Sequence, residues 1–321
     1  MTRSPETRVA LLGASGQIAR SLISQFVLKP PYRLYLLDRR PQGVKLFVKA
    51  LAPHFNGVVL HLNRFEKHAY DVVINCVGIT DPAKLIKNRS QIFAVTELFE
   101  NRIIKYLLRN PQTLYLHLSS GSVYGPDYSH PVNAHTVTML DLHALRPSQF
   151  NGIAKLHAEA KHRAHPQLRI VDLRLFNYFD RFADLNSAFF VNTIAAHLLA
   201  RKPLTVSADD STRDYVHPVD FSRLIQLCIQ KKAGNDFVDV YSRKPVKKFE
   251  LLNHLKKTFG LNFRIEKGHS RTVASTGQKS FYFSKDRKAQ TWLGYKPRYS
   301  ALETITMEIG ALLNAQQQSR S

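Results

Sequence analysis

Six short apolar runs, separated by longer amphipathic stretches, fill the first half of the chain and restrict its fold more than any other feature. The runs are RVALLG (8–13), YRLYLLD (32–38), GVVLHL (57–62), DVVINCVG (71–78), TLYLHLSS (113–120) and LRIVDLRLF (168–176). Between them, residues 17–28, 41–52, 91–109 and 152–164 repeat apolar side chains at spacings of three and four, as a helix with one buried face does. Strands that alternate with helices pair in parallel, because each crossover helix returns the chain to the same edge. The pattern predicts an α/β fold built on a doubly wound parallel sheet.

After Phe176 the texture changes. A helix is expected over 187–201, short strands at 204–206, 237–241 and 262–266, and helices over 218–231 and 248–259. A division near 176 follows, with residues 1–176 as the doubly wound domain and 177–321 as a smaller mixed α/β lobe placed to close over something held by the first. At 321 residues and 44% hydrophobic, the chain is long enough for a sizeable core. The polar tail at 315–321 is expected to fray.

Forty-six Lys plus Arg against twenty-four Asp plus Glu give a formal charge of +22, which favours anionic partners. The basic residues are scattered in pairs such as Arg39 and Arg40 or Lys247 and Lys248, without the long block or aromatic interleaving of RNA-binding modules, so a solvated basic surface is expected. Cys76 and Cys228 lie far apart with no paired metal spacing and read as reduced core residues. HPVNAH at 130–135 lacks a Cys or acidic pair beside it, and no metal is expected there. The apolar runs fall short of the ~20 residues needed to span a bilayer, and the N-terminus lacks a signal-peptide cleavage pattern, so a soluble cytoplasmic protein with no membrane span is expected.

RVALLGASGQIARSLISQF (8–26) is a strand, a turn through Gly13 and Gly16, and an amphipathic helix. Glycines let backbone approach a pyrophosphate, and the helix N-terminus offers unpaired N–H groups to hold it. Ala19 stands where the third glycine of that fingerprint is usual, and it is small enough for close helix packing. Asp38 ends the second run about 20 residues beyond the glycines, where a carboxylate accepts both hydroxyls of an adenosine ribose. That favours NAD. Arg39 and Arg40 leave NADP open, since an arginine there can neutralise a 2′-phosphate.

HLSSGSVYGP (117–126) follows a strand at the sheet's carboxyl edge. With GASGQIA (13–19), Asp38, DVVINCVG (71–78), KLHAE (155–159), LRLFNYF (173–179), RDYVHPVD (213–220) and WLGYKP (292–297), it makes the chain resemble an extended short-chain dehydrogenase/reductase of the nucleotide-sugar epimerase and dehydratase branch. The resemblance spans nearly the whole chain in family order. It implies a Rossmann-type domain in which Gly13, Ser15, Gly16, Gln17, Ile18, Asp38, Arg39, Cys76, Val77, Gly78 and Lys155 bind the dinucleotide. It implies that Ser120 hydrogen-bonds the reacting sugar hydroxyl, that Asn177 lies near the diphosphate and that Arg213 grips it with a planar fork of donors. The implied reaction is epimerisation, dehydration or keto-reduction of a nucleotide-diphosphate sugar, and a homodimer through helices 91–109 and 152–164 is often used by the family.

One position departs from the pattern. The family places a tyrosine one helical turn before the lysine, so that phenol and ammonium share a face. Here Asn151 stands four before Lys155, and Phe150 beside it has no acid to give. A carboxamide cannot serve as general base, a loss of ~10²–10⁴ in rate. Tyr124 is the first substitute to test, with Tyr178 and His157 behind it. The rival is a non-catalytic dinucleotide-binding protein turned to scaffolding or nucleic-acid binding, which the charge and Asn151 favour and which Ser120, Lys155 and Arg213 oppose.

Overall fold

A computed structural model describes residues 6–27, 29, 31–79, 89–266 and 279–318. The chain opens with β1 (Thr7–Leu12), α1 (Gln17–Phe26), β2 (Tyr32–Asp38), α2 (Pro41–Leu51), β3 (Val58–His61) and β4 (Val72–Asn75). It continues through α3 (Gln91–Arg109), β5 (Leu114–Ser120), α4 (Phe150–Arg163) and β6 (Ile170–Leu175). Then come α5 (Phe190–Ala200), β7 (Leu204–Val206), β8 (Thr212–Arg213), α6 (Pro218–Gln230), β9 (Asp236–Val240) and β10 (Val246–Lys247). The last elements are α7 (Lys248–Phe259), β11 (Phe263–Ile265), β12 (Phe281–Tyr282), α8 (Lys288–Leu293) and α9 (Ala301–Gln318).

Seven strands form one sheet in the order β3-β2-β1-β4-β5-β6-β9, and every pairing in it is parallel. Such strands are buried on both faces, which is why they read as continuous apolar runs. Val9 and Leu11 face a core shared with α1, α2 and α6, while Ala10 and Leu12 face the opposite core built on α3. This is the expected α/β doubly wound sheet, and its order reverses between β1 and β4, where such sheets bind ligands beyond the strand ends.

The expected division at 176 is corrected for one strand and one helix. The division places FVDVY at 237–241 in the smaller lobe, yet β9 is the seventh strand of the large sheet, paired with β6 from Val171↔Asp236 to Leu175↔Val240. The crossover helix α6 packs Phe221, Leu224 and Ile225 onto the same sheet. The chain thus leaves for the second lobe after Phe176, returns through α6 and β9, and leaves again.

The second lobe has a three-stranded sheet (β10-β8-β12) and a β11-β7 pair around a core of Ile194, Leu198, Leu251, Leu255, Ile305 and Ile309 from α5, α7 and α9. The tail expected to fray is helical to Gln318, and residues 319–321 lie outside the described residues. Among the described residues, no helix is long and apolar enough to cross a membrane.

Candidate functional site

The turn between β1 and α1 is built around Gly13, whose φ of +74° is strained for any residue with a Cβ. A Cβ there would stand 3.1 Å from the Cys76 carbonyl carbon and from Val77, so the turn also presses on the end of β4. Gly16 caps α1 without a side-chain hydrogen bond, and the first turn carries no acidic residue. Its N–H groups are left to meet an anion. Gln17 is turned sideways, its Nε2 donating to Asp180 Oδ1 at 3.1 Å.

Asp38 is held over this turn. Its Oδ2 accepts from the Ser15 N–H at 2.9 Å and its Oδ1 from the Arg40 N–H at 2.8 Å. Burial pushes its carboxyl up, but these two donors and the charge of Arg39 outweigh it and leave the pKa below the ordinary value. The carboxylate is therefore ionised, and each oxygen keeps a lone pair for a hydroxyl. Arg39 and Arg40 are exposed. At β4, Val77 N–H donates to Asn75 Oδ1 at 3.0 Å, and a Cβ on Gly78 would meet nothing within 4 Å. Glycine turn, unpaired helix start and ribose-seeking carboxylate fit a dinucleotide.

Ser120 ends β5 and caps the tight turn Gly121–Tyr124, its Oγ accepting from the Ser122 N–H at 3.1 Å. The Ser122 hydroxyl also donates to Ser120 Oγ at 2.9 Å, and Asn151 Nδ2 donates to Ser122 Oγ at 3.1 Å. Asn151 thus reaches Ser120 through Ser122. On the other side stands Tyr282 of β12, its hydroxyl 3.4 Å from Ser120 Oγ. Sequence reasoning missed this tyrosine, because it reaches the site only through the pairing of β12 with β8.

Lys155, one helical turn past Asn151, is also tied to the protein. Its Nζ lies 3.2 Å from His117 Nε2, and His117 Nδ1 lies 2.7 Å from Asp172 Oδ1. His162 Nδ1 lies 2.7 Å from the same oxygen and its Nε2 lies 2.9 Å from Glu100 Oε2. Burial, then the Lys155 charge, lowers the pKa of His117, so that ring is neutral, giving a proton to Asp172 and accepting from the ammonium. Burial opposes the charged form of His162, but Asp172 and Glu100 raise its pKa to about 9. Desolvation lowers the pKa of Lys155 against the pull of Glu100 and Asp172. It also lifts the half-buried Cys76 thiol to about 12, against the pull of Lys155, which links the lysine to the end of β4. His117, His162 and Asp172 are close enough together to resemble a metal ligand set, but every ring nitrogen already has a hydrogen-bond partner. This cluster too was missed, since a histidine inside a strand carries no local signal of its partners.

Tyr124 does not turn toward Ser120. Its hydroxyl donates to Asp239 at 3.0 Å and accepts from Arg174 Nη1 at 2.9 Å. Burial, then Asp239, pushes its pKa far up, which corrects the expectation that it replaces the missing base. Tyr178 donates to Ser21 Oγ at 2.7 Å, and His157 is exposed.

Asn177 Nδ2 donates to the Asp214 carbonyl at 2.9 Å, beside Arg213. The Arg213 guanidinium lies 5.6 Å from the centre of the Tyr282 ring, and Lys279 Nζ lies 3.8 Å from it. Neither cation has a carboxylate partner among the described residues. Burial, then Arg213, pushes Lys279 down to about 7. The Arg213 charge, joined by Lys279 when that amine is protonated, makes the surroundings of Tyr282 attractive to an anion.

Known proteins share this fold. The chain superposes on a UDP-glucose-4-epimerase of Stenotrophomonas maltophila, whose structure holds NAD and formylated UDP-arabinopyranose, at a TM-score of 0.80 and 17% identity over 98% of this chain and 99% of that one. A UDP-glucose 4-epimerase of Thermotoga maritima with UDP-glucose gives 0.78 and 16% over 97% and 100%. A dTDP-glucose 4,6-dehydratase of Bacillus anthracis in complex with NAD gives 0.76 and 13% over 98% of each chain. No curated protein matches by sequence. The profile of the NAD dependent epimerase/dehydratase family matches residues 9–240, and the chain belongs to that family, with NAD as its cofactor.

Proposed function

We propose that the protein binds NAD at the carboxyl end of the large sheet and acts with it on a nucleotide-diphosphate sugar, as an epimerase, dehydratase or keto-reductase. Gly13, Ser15, Gly16, Gln17 and Ile18 cradle the pyrophosphate, Asp38 and Arg39 meet the adenosine ribose, and Cys76, Val77 and Gly78 line the cofactor's path. When bound, the nicotinamide takes up and returns a hydride. Ser120 orients the sugar hydroxyl, and Lys155, one of whose three donors is engaged by His117, keeps two for the cofactor's ribose. Asn177 and Arg213 hold the diphosphate. Asn151 occupies the tyrosine's place in this family.

The observation that carries this reading is the juxtaposition of Ser120 with the basic side chains of Arg213 and Lys279 around Tyr282. The solved relatives that hold UDP-sugars with this fold support the ligand class. The same reading makes the protein a homodimer through α3 and α4, where Phe93, Leu98 and Leu108 are exposed. The test is to purify the protein, identify its bound dinucleotide, and screen nucleotide sugars for product and for absorbance change at the nicotinamide band. Bound NAD without turnover on any sugar, together with tight salt-sensitive binding to RNA, would select the non-catalytic rival.

A further inference from the structure

We infer that Tyr282 is the residue that exchanges the proton of the sugar hydroxyl, approaching Ser120 from the second lobe because Asn151 leaves the α4 side without an acid. This rests on the nucleotide-sugar reading above. Three tyrosines, Tyr124, Tyr128 and Tyr282, pack in one cluster beside the turn that Ser120 caps, and the hydroxyls of two are committed elsewhere. Tyr124 is bound to Asp239 and Arg174, and Tyr128 donates to the Gly121 carbonyl at 2.6 Å. The hydroxyl of Tyr282 faces Ser120 Oγ at 3.4 Å, with Ser122 of the same turn as its other neighbour.

The placement is fixed by packing. β12 pairs in parallel with β8, setting Tyr282 opposite Arg213. Its ring stands edge-on to Tyr128 at 4.8 Å and to Phe176 at 5.2 Å. A phenol that works as a base needs a nearby cation to favour its charged form, the service a lysine gives when it shares a helix face with the tyrosine. Here Arg213 supplies positive charge from beside the ring, while Lys279, which lies over it, is pushed down to about 7 by burial and by Arg213. Among the described residues, the groups that face Tyr282 are thus Ser120, Ser122, Tyr128, Phe176, Arg213 and Lys279, and none is a carboxylic acid. Burial raises the phenol's pKa in the ligand-free protein, while Ser120, Arg213 and Ser122 pull it down.

The step balances within the family's own chemistry. On oxidation, the carbon–hydrogen bond breaks with its electron pair going to the nicotinamide, the hydroxyl proton passes to the Tyr282 phenolate directly or through Ser120 Oγ, and a carbonyl forms. Return of hydride and proton reverses it.

The test is Tyr282→Phe, which keeps the ring and its packing. Turnover is expected to fall by ~10²–10⁴. Dissociation constants for NAD and for UDP, measured by calorimetry, are expected to stay within about threefold, a change worth under 1 kcal/mol. The wild-type rate is expected to fall on the acid side as the phenolate is protonated, and that limb is expected to vanish in the variant's residual rate. Full turnover in Tyr282→Phe would overturn the assignment while leaving the nucleotide-sugar reading intact. A tenfold loss of UDP affinity with unchanged maximal rate would overturn it in favour of a binding wall. A wild-type protein inactive on every sugar would overturn both.

Discussion

Gly152→Ala is a sharp probe of how the site is assembled. Gly152 lies in the first turn of α4 and faces the turn that Ser120 caps. A Cβ there would come within 2.3 Å of the Ser122 carbonyl oxygen and 2.9 Å of its carbon, and both are backbone atoms that cannot rotate away. Carbon and oxygen in contact need about 3.3 Å, so helix and turn must separate by roughly 1 Å. Overpacking of this kind costs about 1–3 kcal/mol, and alanine's better helix propensity offsets up to about 1 kcal/mol of it. A fall in Tm of roughly 2–6 °C follows for a chain of this size. Activity is expected to suffer more, by ~10², because a displacement of 1 Å moves Asn151, Ser122 and Ser120 out of register. Gly43→Ala in α2 is the control: an added Cβ there meets nothing within 4 Å. It is expected to raise Tm slightly, since the propensity gain stands alone, about 0.5–1 kcal/mol. Thermal unfolding and turnover of the two variants side by side decide the matter. If Gly152→Ala matches Gly43→Ala in Tm and retains full turnover, contact between α4 and the turn does not set the geometry of Ser120.

Asn151→Tyr is expected to leave turnover within about threefold of wild type or to lower it, because proton exchange is organised elsewhere; a gain of ~10² in the sugar assay would show a site with nothing in the tyrosine's stead. Asp38→Asn removes the charge above the glycine turn, and about a tenfold loss of NAD affinity with a smaller loss for NADP is expected in a binding titration, a difference of about 1.4 kcal/mol or less; equal losses would detach Asp38 from the ribose. His162 gives a pH signature: its pKa is about 9 folded against 6.5 unperturbed. Its contribution is therefore complete below pH 6.5 and is lost as pH rises through 9, a span of about 3 kcal/mol at most. Urea unfolding across that window is expected to show declining stability in the wild type and a flatter profile in His162→Gln. An unchanged slope would mean that Asp172 and Glu100 do not hold His162 charged.

Much of the fold was legible because its rules are local. Strands buried on both faces must be apolar throughout, and each of the six runs in the first half became a strand of the large sheet. The helix α9 was not foreseen, since its buried face includes Thr304 and Glu308, which break the apolar spacing. Thr304 is satisfied within the helix start, donating to the Ser300 carbonyl, whereas the partner of Glu308 is remote: Arg181 donates to both of its carboxylate oxygens. The strand at 237–241 was legible as a strand, but which sheet it joins is decided by pairing with β6, and no pattern within the segment carries that. In the site, the glycine turn and Asp38 were readable because turn chemistry and strand ends are local. Tyr282, Lys279 and the His117–Asp172–His162 cluster were not, because each meets its partners only across the fold.

The buried face of α4 explains how an asparagine can stand at 151 without disturbing the rest. Its fully buried residues are Gly152, Ala154, Ala158, Glu159 and His162, none of them a large apolar side chain, and Leu156 packs only partly buried. Polar pairs position it instead. Glu159 accepts from Arg174 Nε at 3.0 Å and from Ser119 Oγ at 2.5 Å, while His162 and Lys155 are tied to Asp172 and His117. Breaking one partner out of such a buried pair costs about 3–5 kcal/mol, so the helix is held firmly at its middle and far end. Its first turn carries none of these ties. A change at 151 alters what α4 presents to Ser120 without moving Lys155, and the serine remains open to a phenol from β12 on the other wall of the cleft. Cofactor anchoring and proton exchange thus reside on separate elements, and one can be relocated while the other stays.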